Sequence, residues 1–227
     1  MGYGIKMLVK GPRACFTRPE MKAERVSYDV MTPSAARGIL EAVYWKPAIT
    51  WHIDSIEVLN KIRFETFRRN EVGSKLPYSG SAGAKSIEGG KNLPLYETVS
   101  TDRQQRATLL LRDVAYVVNA HFDLTNRVGE DDTVEKHYNI VLRRLRKGQC
   151  FNQPYLGCRE FSAEVSLVEE GENVPLSAYA GVSEKDLGFM LYDLDFADME
   201  HPEPKFFRAV MRGGVIDVST AAREVIG

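Results

Sequence analysis

Along residues 5–10, Ile-Lys-Met-Leu-Val-Lys, apolar and polar side chains alternate as they do in a half-buried strand. A polar, basic loop follows, carrying Arg13, Arg18, Lys22 and Arg25. Thr32-Pro33 then joins an N-cap residue to a proline at the first helical position. Ala35, Ala36, Ile39, Ala42 and Val43 recur at helical spacing, which predicts a helix reaching about Trp45 and stopping ahead of Pro47. On that helix Tyr44 lies about 140° from Ile39, off the apolar stripe. Alternating, β-branched runs at 49–59 and 61–69 predict two strands, and Gly-, Ser- and Lys-rich residues 71–100 predict an insertion or long hairpin. Strands resume at 106–112 and 115–124, with Asp113-Val114 between them read as a tight hairpin.

A second helix is predicted over 133–147. Asp132 and Glu135 give it a start resembling a capping box, and Val134, Tyr138, Val141, Leu142 and Leu145 give it an apolar face. Arg143, Arg144, Arg146 and Lys147 crowd its C-terminal end, where the macrodipole favours cations, and Gly148 supplies a stop. A strand over 159–167 completes the order β-α-β-β-α-β. That order is the ferredoxin-like pattern of an α+β protein, shared with RNA-recognition domains. The domain reading is therefore a ferredoxin-like domain at 1–168 and a small antiparallel β-rich subdomain at 169–227, built from short strands near 187–194, 206–212 and 215–218.

Charge sharpens this picture. The net charge is −1, yet residues 1–150 carry a balance of +7 and residues 151–227 one of −8. A basic part joined to an acidic part suggests that the first meets a polyanion. Three cysteines without a CxxC, and no apolar run near the roughly 20 residues of a membrane helix, fit a cytoplasmic protein.

No GxxxxGK[ST], HExxH or GxSxG occurs, and His52, His121, His137 and His201 are not at metal-ligand spacing, so neither a metal nor a cofactor is expected. Three stretches carry other chemistry. Tyr44-Trp45-Lys46-Pro47 is either a helix end with an aromatic ring docked on the core or a phenol free to reach a ligand. Lys136-His137-Tyr138 places His137 on the rim of the apolar face, about 100° from Tyr138, and Lys136 further toward solvent. The two are a surface histidine and a solvated lysine, or an acid–base imidazole and an ammonium reaching one phosphate from opposite sides. The run 148–161 brackets aromatic, amide and cationic residues between Gly148 and Gly157. It is a helix-to-strand connection, or a loop whose backbone approaches phosphates while Phe151 or Tyr155 stacks on bases.

Four stretches carry a resemblance: Ala42-Val43-Tyr44-Trp45-Lys46-Pro47, Ala120-His121-Phe122, Glu135-Lys136-His137-Tyr138 and Tyr155-Leu156-Gly157-Cys158-Arg159-Glu160-Phe161. In this order they resemble the Cas-five family of CRISPR-associated proteins in its subtype I-C form. The resemblance implies a ferredoxin-like fold of the RAMP superfamily. It implies a metal-independent endoribonuclease that cuts CRISPR repeat RNA at the base of its stem-loop and holds the 5′ handle of the guide RNA. Its partners would be the backbone and large subunits of the interference complex. The catalytic trio of such proteins falls on Tyr44, Lys136 and His137. RNA would be held by Arg13, Arg18, Lys22 and Arg25, by Arg143, Arg144, Lys147 and Gly148, and by Tyr155, Gly157 and Arg159. A non-catalytic scaffold holding the 5′ handle is the competing reading, and a contact with target DNA in the assembled complex is a third.

Overall fold

A computed structural model describes residues 3–21, 23–74, 85, 88–90, 100, 102–198 and 200–227. The first strand, β1 (Ile5–Ala14), buries Ile5, Met7 and Val9 and exposes Lys6 and Lys10, as the alternation requires. In helix α1 (Pro33–Val43) Thr32 is the N-cap, its hydroxyl accepting the Ala35 N–H at 3.2 Å, and Pro33 opens the first turn. The buried stripe is Pro33, Ala36, Ile39, Leu40 and Val43. The helix stops two residues before the sequence expectation. Tyr44 adopts an extended conformation (φ −152°, ψ 119°), and its carbonyl accepts the Trp51 indole N–H at 3.0 Å instead of continuing the helical ladder.

Strand β2 (Ile49–Val58) leads to β3 (Phe64–Val72) and then to β4 (Arg103–Leu124). The hairpin expected at Asp113-Val114 is not formed, because β4 runs through those residues as one 22-residue strand. Asp113 marks a kink instead: its φ is +54°, and the pairing with β1 passes from Gly11↔Val114 to Arg13↔Arg112. Pro12, which has no N–H for the ladder, stands opposite Asp113, and the register is the same on both sides of the pair. Turn-forming residues here bend a strand held by neighbours on both sides of the kink.

Helix α2 (Val134–Lys147) is capped by Thr133, which accepts the Lys136 N–H, and not by Asp132 as the sequence suggested. Gly148 ends it in the left-handed region at φ 60°. Then follow β5 (Glu164–Leu167), β6 (Lys185–Asp195), β7 (Glu203–Arg212), β8 (Val215–Asp217) and a short α3 (Val218–Ala221).

The strands form an antiparallel sheet of order β5-β1-β4-β2-β8-β7-β6, with β3 paired to β4. Its first four strands have the ferredoxin-like order, fourth-first-third-second, of a β-α-β-β-α-β unit. Helix α1 packs on β2 and β6, and α2 on β5 and α1, closing one core over Met7, Trp51, Ile53, Ala120 and Phe122. The acidic C-terminal strands extend the same sheet through β8 on β2 (Ile56↔Ile216). Gly213-Gly214, both at positive φ, make the two-residue turn between β7 and β8.

Two compact units are distinguished: Met1–Glu65 with Leu109–Gly227, and Thr66–Thr108. Most of the insertion expected at 71–100 lies outside the described residues. Within the second unit Gly73 N–H donates to Asp102 O at 3.0 Å and Arg69 to Thr108 Oγ1 at 3.3 Å. No described helix is long and apolar enough to cross a membrane.

Candidate active site and nucleic-acid interface

Tyr44 and His137 are 93 positions apart in the chain and meet in the core. The Tyr44 hydroxyl lies 2.7 Å from His137 Nδ1, and the ring centroids are 5.9 Å apart. Phe122 from β4 packs edge-on against the imidazole at 6.3 Å. Both residues are closed off, Tyr44 at 2% and His137 at 1% exposure. Their local geometry explains this. Tyr44 has left the helix, so its ring turns toward the core and not away from it. His137 shares the buried line of α2 with Val141 and Leu145, at i, i+4 and i+8. The sequence reading placed the imidazole on the rim because it fixed the apolar face on Tyr138, which is only half-buried.

Asp132, just ahead of the helix cap, faces the other imidazole nitrogen. Its Oδ1 lies 3.3 Å from His137 Nε2, inside ion-pair range but off the line of a hydrogen bond, so buried Nε2 has no hydrogen-bond partner. Lys136, half exposed, donates to Asp131 O at 3.1 Å and sits 3.4 Å from Asp132 Oδ1. The trio is therefore gathered around one carboxylate, with phenol and imidazole inside and the ammonium at the surface.

The surroundings set the protonation states. Burial holds the imidazole below its ordinary pKa, Lys136 and Lys46 push the same way, and Asp132 opposes them. Burial raises the Tyr44 phenol, against the pull of Arg144. Asp132 is kept below the usual carboxylate range, first by the Gly129 N–H it accepts and then by Lys136 and His137. At neutral pH this favours a neutral imidazole between a neutral phenol and an ionised carboxylate. If Tyr44 donates to Nδ1, the Nε2 proton faces Asp132.

The loop after α2 is tied down along its length. The N–H groups of Phe151 and Asn152 both donate to Ala42 O, at 2.9 and 3.0 Å, and Cys15 N–H donates to Leu156 O at 3.0 Å. Gly157 sits at φ 82°, where a Cβ would run into the Cys15 carbonyl. Tyr155 is 40% exposed, and Arg159 and Gly148 are exposed.

The basic residues fall into two groups. Arg143 and Lys147 at the end of α2, and Arg159 in the loop that follows, are exposed. The others are engaged within the protein: Arg13 forks onto Glu65 (3.0 and 3.3 Å), and Arg18 covers the Tyr28 ring at 4.4 Å with Asp29 at 4.0 Å. Arg25 reaches Cys158 Sγ at 3.5 Å and Glu160 at 3.8 Å. Arg144 donates to Val43 O at 2.6 Å, capping the C-terminus of α1, and lies 5.1 Å from the Tyr44 ring centroid. Lys22 lies outside the described residues.

Sequence reasoning missed Asp132 as the imidazole's neighbour and Trp45 as an exposed ring, 55% accessible. The i, i+4, i+8 row of His137, Val141 and Leu145 was the available signal for the buried imidazole. Nothing local marked Asp132, whose position depends on the loop before the cap.

A family model described as a CRISPR-associated protein of the Cas5 type, in its Cas5d form, matches residues 4–219. The chain is 51% identical over 220 residues to a protein of Mannheimia succiniciproducens named CRISPR pre-crRNA endoribonuclease Cas5d, covering 96% of each. It is 42% identical over 231 residues to a Thermus thermophilus protein of the same name, covering 94% of this chain and 90% of that one. Among solved structures, a CRISPR-associated protein superposes with a TM-score of 0.70 at 28% identity. A Streptococcus mutans protein described as functionally uncharacterized does so at 0.65 and 26%. In each case 94% of this chain and 90% of the other is covered. The ferredoxin-like sheet, the motif order and the near full-length match agree: the chain belongs to the Cas5 family of CRISPR-associated proteins, in its Cas5d branch.

Proposed function

We propose that this protein is an endoribonuclease that cuts CRISPR repeat transcripts at the base of their stem-loop. It then stays on the 5′ handle of the guide RNA as a subunit of a type I-C interference complex, beside backbone and large subunits. Two relatives named pre-crRNA endoribonucleases support the substrate class. The observation that carries the chemistry is the 2.7 Å contact between Tyr44 hydroxyl and His137 Nδ1, with Asp132 and Lys136 at its other side.

The ribose 2′-OH next to the scissile phosphate attacks phosphorus, and the P–O5′ bond breaks. The products are a 2′,3′-cyclic phosphate and a 5′-OH. Tyr44 takes the 2′-OH proton as its own passes to Nδ1, and Asp132 stabilises the imidazolium that forms. The returned proton leaves with O5′, and Lys136 stabilises the charge that develops on the phosphate. An internal nucleophile and these side chains meet the needs of the reaction without a metal. Because both rings are buried, this reading requires RNA to part the side chains around them.

Cleavage of a cognate repeat hairpin by the pure chain in chelator tests the proposal, with 2′-deoxy substitution at the cut site abolishing cutting but not binding. Products ending in 3′-OH and 5′-phosphate would overturn it. The burial of Tyr44 and His137 favours a second reading, a scaffold in which the pair is structural. Unchanged cleavage by a His137→Gln chain would select that reading.

A further inference from the structure

The end of α1 is held from outside the helix. Carbonyls in a last helical turn have no helical N–H to accept. Here Ala42 O takes the N–H groups of Phe151 and Asn152, and Tyr44 O takes the Trp51 indole N–H. Between them, Val43 O takes Arg144 Nη1 at 2.6 Å. Of these donors only Arg144 is charged, and its guanidinium also covers the Tyr44 ring, 5.1 Å from the centroid.

Arg144 follows His137 by two turns of α2, so the two lie on nearly one line of that helix. They grip the same tyrosine at its two ends. His137 Nδ1 meets the hydroxyl at 2.7 Å, and Arg144 meets the ring face and the carbonyl just before the residue. Arg143 and Lys147, from the same basic cluster, are exposed, whereas Arg144 is partly buried. A side chain that reads as one more cation of the helix end is thus part of the seat of the phenol.

The seat has a chemical consequence. As Tyr44 passes its proton to Nδ1 and takes one from the 2′-OH, negative charge builds on the phenol oxygen. Burial disfavours that charge, and the guanidinium over the ring works against burial. The contact also fixes position, and a reacting group displaced by about 1 Å can lose roughly 100-fold in rate.

We propose that Arg144 is a positioning residue for cleavage, holding the Tyr44 phenol on line with His137, and not one of the residues that hold RNA. Its effect on rate rests on the nuclease reading, whereas its hold on the phenol stands apart from that reading.

Lysine separates the two roles. It keeps the charge and serves a phosphate, yet it has no planar fork to span a carbonyl and a ring face. Full-length Arg144→Lys and Arg144→Met chains would be compared with the parent on a repeat hairpin, in single turnover at saturating protein. Affinity would be read with the same hairpin made uncleavable by 2′-deoxy substitution. Both variants are expected to cut roughly 10- to 100-fold more slowly and to bind within a few-fold of the parent.

The imidazole gives a second readout that needs no cutting. In protein carrying ¹⁵N-histidine, the Nδ1 resonance of His137 is assigned by its absence in His137→Gln. It should move in both Arg144 variants, toward its position in Tyr44→Phe. A merely structural arginine would lower Tm and leave the resonance of the folded protein in place. Affinity lost in Arg144→Met and kept in Arg144→Lys would mark a phosphate contact and overturn the assignment. So would an unmoved resonance, or parental cutting rates in both variants. A parent that fails to cut while the resonance moves would end the nuclease reading and leave the seat of the phenol standing. A parent that cuts while the resonance stays fixed would do the reverse.

Discussion

Tyr44 and Trp45 are neighbours in the chain with opposite fates. The phenol is 2% exposed against a buried imidazole, and the indole is 55% exposed on an open groove. The extended backbone at Tyr44 explains the split, because successive side chains then point to opposite sides. One helix end thus serves two regions that obey different rules. Inside, each polar atom depends on a specific partner, and losing one leaves another unsatisfied in low dielectric. Outside, rings and cations contribute area and charge that solvent can partly replace. Substitutions in the buried region should therefore act on the chemical step, and those in the groove on affinity.

The largest expected effect comes from removing the imidazole. His137→Gln should lower single-turnover cleavage by roughly 10²- to 10⁴-fold, the range of acid–base catalysis, while gel-shift affinity for the uncut hairpin stays within a few-fold. A parallel loss of affinity would erase the distinction between the two regions. Asp132→Asn comes next. Acting through the imidazole and not on RNA, it should slow cleavage by roughly 10- to 100-fold, the worth of about 1.5–3 kcal/mol for a charged contact. The rate should fall without a rise in KM, and Asp132→Glu should recover part of it. A purely structural Asp132 would lower stability and leave the rate of the folded fraction unchanged.

Gly157→Ala probes the frame that presents the groove. At φ 82°, with the Cys15 carbonyl where the methyl would go, the substitution should cost at least about 2 kcal/mol. That corresponds to a fall of roughly 4–8 °C in Tm for a chain of this size. An unchanged Tm would mean that the loop can leave β1 freely.

The strand and helix order was legible because it rests on periodicity, which local sequence records. Ile5, Met7 and Val9 alternate, Thr32-Pro33 starts α1, and Gly148 stops α2. What was misread depends on neighbours distant in sequence. Asp113 looks like a turn residue until β1 is seen to pair with β4 on both sides of it, at Val114 and at Arg112. Thr133 and Asp132 are equally good caps on paper, and only the loop from Gly129 decides between them. The trio was located by resemblance, whereas the burial of Tyr44 followed from its leaving the helix to give its carbonyl to Trp51, and that of His137 from the row it shares with Val141 and Leu145. The basic set was legible as charge alone, since the partners of Arg13 and Arg144 lie 52 and 101 positions away.

The smallest expected effect is one of acidity, and it isolates the buried region from the exposed one. Burial lowers the His137 pKa, so between the folded and the ordinary value the unfolded chain binds more protons than the folded one. Stability then rises with pH across that window. It is complete above about pH 6.5, the ordinary histidine value, and erodes as pH falls below it. Asp132 has the same sign in a lower window: its depressed pKa contributes stability that is lost only as pH drops below the ordinary carboxylate value near 3.9. Tm measured from pH 7.5 down to 5 should therefore decline more steeply in the parent chain than in His137→Gln, and Trp45→Phe should track the parent. Parallel curves for the parent and His137→Gln would mean that the imidazole is as readily protonated folded as unfolded, and the contrast between a closed centre and an open groove would lose its electrostatic basis.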